Sequence, residues 1–282
     1  MSSTGIQSSG PNLWIREYRF AKRMRQANAK YDVFVISLPK SGRTWHRLML
    51  GYYLARAAGQ SPSNAFDLDI LCKKNAIRPL QYSHNYSSFS DKLPPSSGVV
   101  ASPIEWSNKS VLFLIRDLRD VLVSGYFHCR YREQTFEGTI SEYVRNRFVG
   151  IDKLLTSLNR WYSQQHLAGK VSIISYEQMH QDPETALHFS LDFIGLANPD
   201  AKLIKEAVDF CRFENLQKLE SSNYFNAVEM QLISNDPRGR KIRSGQVGRY
   251  REHLSENDLA FIAERERDLP NPFYLEASLN DN

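Results

Sequence analysis

The sequence predicts an α/β fold, a parallel β-sheet flanked by helices and built around a strand–loop–helix unit of the phosphate-loop type. Three observations predict it. Short runs rich in β-branched and aromatic residues, such as Val33–Ser37, Val111–Ile115 and Val171–Ser175, have the length and composition of buried strands. The first two lead within a few residues into helical patterns and the third into a helix start, the repetition expected of parallel βα units. Finally, Pro39 and Gly42 end the first strand in a loop that opens directly into a helix, with no separate linker.

Each element can be justified in order. Residues 1–12 are polar and Ser/Gly-rich and carry no signal-peptide pattern, so they are expected to be a flexible tail, with 13–282 as a single domain. Trp14–Arg25 reads as a leading helix. The first strand follows, and beyond its loop Trp45, Leu48, Met49, Tyr52 and Tyr53 recur at helical spacing, completing a unit over 32–58. After a polar connection at Ser61–Asn64, Arg78–Ser83 is strand-like and leads into a second polar stretch, Asn85–Ser97. The Val111–Ile115 strand gives way to Asp117 as an N-cap and Asp120 in the first turn, and Leu118, Val121, Leu122, Gly125 and Tyr126 trace one face of the next helix. Glu133–Gly150 and the helix-like Ile151–His166 are expected to cover a pocket. The third strand ends in Tyr176-Glu177, and Asp182-Pro183-Glu184 is a strong helix start. Ser255-Glu-Asn-Asp258 resembles a capping box opening a last helix that stops at Leu269-Pro270.

Bulk properties narrow the function. With 282 residues, 41% hydrophobic and 24% charged, the chain is ordinary folded material with enough length for a well-buried core. A net charge of +5 suits a small polyanionic ligand and is too mild to require nucleic acid. The three cysteines, Cys72, Cys129 and Cys211, lack metal-ligand spacing and favour a reducing compartment. No apolar run approaches the length of a membrane span. The expectation is a cytoplasmic protein with no metal, no membrane and no nucleic acid among its partners.

Chemistry concentrates in four places. Lys40, Ser41, Gly42, Arg43 and Thr44 combine a lysine, two hydroxyls and the free N–H groups of a helix start, an anion cradle. The loop departs from the Walker pattern, because Lys40 precedes its only glycine and no lysine follows. Arg116 stands at the carboxyl end of a strand, with Ser124 two turns into the next helix. Arg240–Arg249 is basic and glycine-containing, and Arg243, Ser244 and Gly245 there could bring charge and backbone N–H groups to a phosphate. His84, between a strand-like run and a polar loop, is the best placed of seven histidines to act as a base near neutral pH. His46 and His128, inside the two helices, read as structural or as supports for neighbouring site residues.

In this order the motifs resemble those of the sulfotransferases that use PAPS (3′-phosphoadenosine 5′-phosphosulfate), over about Tyr31–Leu269. The resemblance implies a P-loop NTPase-like sulfotransferase fold and transfer of a sulfuryl group from PAPS to a hydroxyl or amine, leaving PAP, with no metal. It implies that Lys40 neutralises the leaving group, that the amides after Gly42 hold the 5′-phosphate, and that Arg116 and Ser124, at the family's spacing of eight, hold the 3′-phosphate. Trp45 and Tyr176 match residues near the adenine. Arg243, Gly245 and Gly248 match the family's late Arg-Lys-Gly-x-x-Gly segment, although Ser244 replaces its lysine and Arg249-Tyr250 its Asp-Trp. His84 matches the catalytic histidine, but in Tyr82-Ser83-His84 the usual preceding lysine is missing. Glu177 or Glu105 is the alternative base. The acceptor is expected to be a small molecule, with a glycan or peptide tyrosine left open, and its pocket walls to come from 60–110 and 130–165. The oligomeric state is left open too. Two rivals remain: a P-loop-type kinase or ATPase, using Asp117 or Asp120 for magnesium, and a non-catalytic nucleotide- or nucleic-acid-binding protein using the basic segment 240–251.

Overall fold

The computed structural model describes residues 29–85, 87–89, 106–233 and 236–273, with Lys22, Arg25 and Gln26 ahead of them. The predicted tail, most of the leading helix, most of Asn85–Ser97 and Glu105 lie outside the described residues.

Four strands form the sheet: β1 (Val33–Ser37), β2 (Leu80–Ser83), β3 (Ser110–Ile115) and β4 (Lys170–Ser175). They are all parallel, in the order β2-β1-β3-β4. Val35 of β1 lies opposite Tyr82 on one side and Leu112 on the other. Every residue of β1 and β3 is buried, as a sheet covered on both faces requires. The helices in chain order are α1 (Arg43–Ala57), α2 (Leu68–Lys74), α3 (Leu118–Phe127), α4 (Ile140–Arg145), α5 (Ile151–Gln164), α6 (Tyr176–Gln181), α7 (Pro183–Phe193), α8 (Ala201–Phe210), α9 (Phe213–Ser221) and α10 (Glu256–Asp268).

Side chains alternate across a strand, and that period of two divides the core. Val33, Val35, Leu112 and Leu114 face a cluster supplied by α1, α2, α7, α8 and α9. Phe34, Ile36, Val111, Phe113 and Ile115 face the other cluster, where Leu154 and Trp161 of α5 pack with residues of α3, α4 and α10. Burying a side chain of this size contributes about 1.5–3 kcal/mol, so the two clusters, more than helix propensity, hold the layers together.

Helix starts follow their capping residues. Asp117 accepts from Arg119 N–H, Asp182 from Thr185 N–H, and Ser255 pairs reciprocally with Asp258. Tyr176, expected at the end of a strand, instead opens α6, because Ser175 and Gln178 form a capping box there. After α3 the chain winds through a single π turn, His128–Arg132, with Glu133 N–H bonded to His128 O.

The strand order creates a switch point. From β1 the chain crosses to β2 on one side, and β3 then returns to the opposite side of β1. In parallel sheets of this kind a crevice opens beyond the carboxyl ends of the strands at that reversal. The loops leaving β1 and β3 meet there: Arg116 Nη1 donates to Lys40 O at 3.1 Å. Among the described residues no helix is long and apolar enough to cross a membrane, and Cys72, Cys129 and Cys211 are buried free thiols.

Candidate functional site

A cleft of about 790 Å³ opens at the switch point. All the predicted site residues line it except Ser41: Lys40, Gly42, Arg43, Thr44, Trp45, His84, Arg116, Ser124, Tyr176, Arg243, Ser244 and Gly245. Ser41 lies directly beneath in the chain, fully buried, its hydroxyl without a hydrogen-bond partner among the described residues.

The loop geometry explains its residue types. Gly42 has φ +83, and an added Cβ would sit 2.5 Å from Cδ2 of Tyr176, so both conformation and contact exclude a side chain. Lys40 holds φ +71, an uncommon conformation for a residue with a Cβ and one that recurs at functional sites. Gly245 repeats the logic across the cleft, with φ +61 and a Cβ that would meet Phe213 Cδ2 at 2.5 Å.

Arg116 is tightly oriented. Its guanidinium lies 4.0 Å from the centre of the Tyr176 ring, and Nη2 donates to Gln246 O at 3.0 Å. Its buried Nε has no partner among the described residues. Asp120, 3.4 Å from Nη2, accepts from the N–H groups of Gly248 (2.7 Å) and Tyr250 (3.0 Å), pinning the late glycine loop against α3. Glu220 does the same further along, accepting from the N–H groups of Lys241 (2.7 Å) and Ile242 (3.1 Å) while facing Arg132 at 3.5 Å. Trp45 donates to Cys211 O at 3.1 Å, and its ring meets Tyr176 and His180 edge-on, 5.8 and 6.4 Å between centres. These rings form an aromatic wall.

Positive charge is concentrated here and poorly balanced. Lys40 Nζ makes no hydrogen bond or ion pair among the described residues. Burial, then repulsion from Lys241, Arg132, Arg243 and Arg116, holds its pKa well below the usual lysine value. Burial and Arg43 push Lys241 down to about 8, and burial with Arg249 brings Arg243 to about 10. Such a cluster is a receptor for a polyanion. The two carboxylates a kinase would need for magnesium are engaged elsewhere: Asp117 to its cap and to Arg119, Asp120 to the two backbone N–H groups.

His84 lies beside the cations with Nδ1 2.8 Å from Ser37 O. A carbonyl can only accept, so Nδ1 carries the proton and Nε2 keeps its lone pair. Burial, then Arg43, keeps the ring neutral by pushing its pKa well below the ordinary 6.5. His46 is structural, as expected, bonded to Tyr82 Oη (2.7 Å) and Ser190 Oγ (2.8 Å). Two expectations fail. Glu177 accepts the Asp117 N–H at 3.1 Å and forms no wall of the cleft, so it is not placed to serve as a base. The helix expected over Ile151–His166 packs into the core beneath β3, and no cleft residue comes from 134–175.

The sequence reading missed Arg132, Glu133, His180 and Lys241, and gave His128 no more than a structural or supporting role; all five line the cleft. His128 Nε2 meets Glu133 at 2.9 Å, Nδ1 has no partner among the described residues, and burial lowers the ring's pKa to about 4. Residues five apart meet because the turn between them is π and not α. His180 Nε2 donates to Gly245 O at 2.9 Å, joining the aromatic wall to the glycine loop.

Comparison with known proteins agrees with this geometry. The sulfotransferase domain family matches residues 30–267. Cytosolic sulfotransferase 12 of Arabidopsis thaliana is 22% identical over 246 residues, 80% of this chain and 73% of that protein. An amine sulfotransferase of Oryctolagus cuniculus is 24% identical over 268 residues, 89% of this chain and 85% of its own. The structure of retinol dehydratase in complex with androsterone and inactive cofactor PAP superposes with a TM-score of 0.61 at 15% identity, over 91% of this chain and 85% of that one, a likeness of fold. Because the family match runs through all four strands and every loop that walls the cleft, this chain belongs to the sulfotransferase domain family.

Proposed function

We propose that this enzyme transfers a sulfuryl group from PAPS to a hydroxyl or amine of a small-molecule acceptor. The observation that carries the proposal is Lys40: an unpaired ammonium at the sheet's switch point, among four other cations, beside a helix start and a neutral histidine. The chain's residues fit the donor. Ser41 Oγ and Arg116 Nε are buried polar atoms lacking partners among the described residues, and Gly42 and Gly245 line the cleft in the left-handed conformation, each packed against a neighbouring ring. Relatives named for amine and flavonol acceptors, and a solved relative holding retinol and PAP, support a small acceptor.

PAPS supplies an activated sulfuryl group whose S–O bond to the phosphate breaks as the acceptor oxygen or nitrogen attaches. The N–H groups at the start of α1, with Thr44, hold the 5′-phosphate, and Arg116, Ser124 and Arg243 hold the 3′-phosphate. Trp45 and Tyr176 flank the base. Lys40 stabilises charge on the oxygen that leaves. His84 Nε2 takes the acceptor's proton, its tautomer fixed by Ser37 O. With His84 neutral across the physiological range, a base is always available. Asp117 and Asp120, engaged as they are, make a magnesium-dependent phosphoryl transfer the poorer reading.

The test is labelled sulfuryl transfer from PAPS to a panel of phenols, alcohols and amines. Lys40→Ala is expected to lower turnover by about a thousandfold, the scale of removing one charge-stabilising group, with PAP affinity within about tenfold of wild type. Wild-type turnover in that variant would remove Lys40 from the mechanism.

A further inference from the structure

Lys40 shares the cleft with Lys241, Arg132, Arg243 and Arg116, all of which oppose its charge, and these cations differ in what else lies near them. Arg243 feels Arg249 and Arg116, with Glu252 and Asp120 as counter-charges. Lys241 feels a different group, Arg43 and Arg132, with Glu133 and Glu229 opposite. The first set adjoins the ring of Tyr176, on which Arg116 stacks, and so belongs with the nucleotide. Of the second, Arg43 and Lys241 line the cleft with His84 and, after burial, oppose its charged form. A base must reach the acceptor's proton, so this second set faces the acceptor.

Within that second set Arg132 is satisfied, facing Glu220 at 3.5 Å and donating to Gln231 O at 2.7 Å, but the carboxylates nearest Lys241 and Arg43 are held by other groups. Glu229 is held by Arg47 at 3.0 Å and Glu133 by His128 at 2.9 Å. Glu220 is occupied by the backbone of Lys241 and Ile242 and by Arg132. The ammonium of Lys241 and the guanidinium of Arg43 therefore line the cleft with no hydrogen bond or ion pair among the described residues. Their placement is built, since Glu220 fixes the Lys241 backbone at 2.7 Å and Arg43 is the first residue of α1. Adjacent, partly desolvated, unpaired cations are costly unless an anion joins them. A neutral steroid or retinol would bring no charge to this half of the cleft.

We infer that the acceptor carries an anionic group, a carboxylate or similar oxyanion, besides the atom that is sulfated, and that Lys241, with Arg43 beside it, receives that group. The inference rests on the sulfotransferase reading of the cleft. It makes Lys241 a specificity-determining residue outside the late glycine motif. Were Lys241 serving the transferring group instead, charged and neutral acceptors would depend on it equally.

The experiment is calorimetry on the full chain. PAP is titrated first; the PAP-saturated protein then receives acid and amide pairs, namely 4-hydroxybenzoate, 4-hydroxyphenylacetate and 3-(4-hydroxyphenyl)propionate, each against its primary amide. For at least one pair the acid is expected to bind about tenfold tighter or more. Lys241→Met should bring that ratio to about one, Lys241→Arg should keep it, and PAP affinity should stay within about threefold in both variants, which also reports that they fold. No acid preference in any pair overturns the inference, whether both members bind or neither does. A preference that survives Lys241→Met overturns it too, as does a loss of PAP affinity beyond about tenfold in that variant. Failure of the wild type to bind PAP is a separate result, which removes the donor site and this inference with it.

Discussion

Three histidines are held neutral by burial, His46 fully and His84 and His128 partly buried; His46 sits between Tyr82 and Ser190, His84 on Ser37 O, and His128 stays neutral despite the Glu133 carboxylate at 2.9 Å. Burial pushes His46 and His128 to about 4 from an ordinary 6.5, and His84 well below it. The unfolded chain therefore binds protons that the native chain refuses, and stability falls as pH drops from about 6.5 toward 4, by up to about 1.4 kcal/mol per pH unit for each histidine. Urea unfolding at pH 7 and pH 5 should show that loss, and equal stabilities would contradict the burial of these rings. Arg116→Ala should weaken PAP by about a hundredfold and 5′-AMP by less than about threefold, because only PAP carries the phosphate assigned to Arg116. Equal losses for both ligands in calorimetry would break that assignment. At this scale the sequence was informative where a residue type has one use: Lys40, Arg116 and Gly42 stand out from residue type and spacing alone. His128 and Lys241 do not. The first acts through a π turn with no sequence mark, and the second lies two residues before a motif that draws attention to Arg243.

Elements matter here through the pins that hold their ends. The late loop has little regular structure, yet Asp120 of α3 and Glu220 of α9 take four of its backbone N–H groups and fix it over the cleft. A buried carboxylate serving two N–H donors and facing an arginine cannot be replaced by an amide, which accepts through one oxygen only. Asp120→Asn should cost about 2 kcal/mol of stability and about tenfold in PAP affinity, seen in urea unfolding and calorimetry. An unchanged PAP affinity would mean that the loop reaches the ligand without this pin. Strands and helix starts were legible because burial on both faces demands continuous apolar runs and because caps are local chemistry. The start of α6 was not, since the Ser175–Gln178 capping box overrides the strand character of the residues before it. The place of α5 was not legible either: an amphipathic pattern shows which face is buried, but not against what.

Across the whole molecule, function follows from strand order. The sequence supplied the parallel strands, but the arrangement β2-β1-β3-β4 depends on crossovers between distant segments, which no local pattern encodes. That arrangement brings residues 40, 116 and 243, far apart in the chain, to one crevice. A net charge of only +5 hides the outcome, because unpaired cations are gathered in the cleft while many surface charges are paired. A small polyanion is what this distribution suits. The measurement to make first is calorimetric binding of PAP, ADP and 5′-AMP, each with and without magnesium. The sulfotransferase assignment predicts that PAP binds at least about a hundredfold tighter than ADP and that magnesium makes no difference. Preferential, magnesium-dependent binding of ADP would contradict it and put phosphoryl transfer in its place.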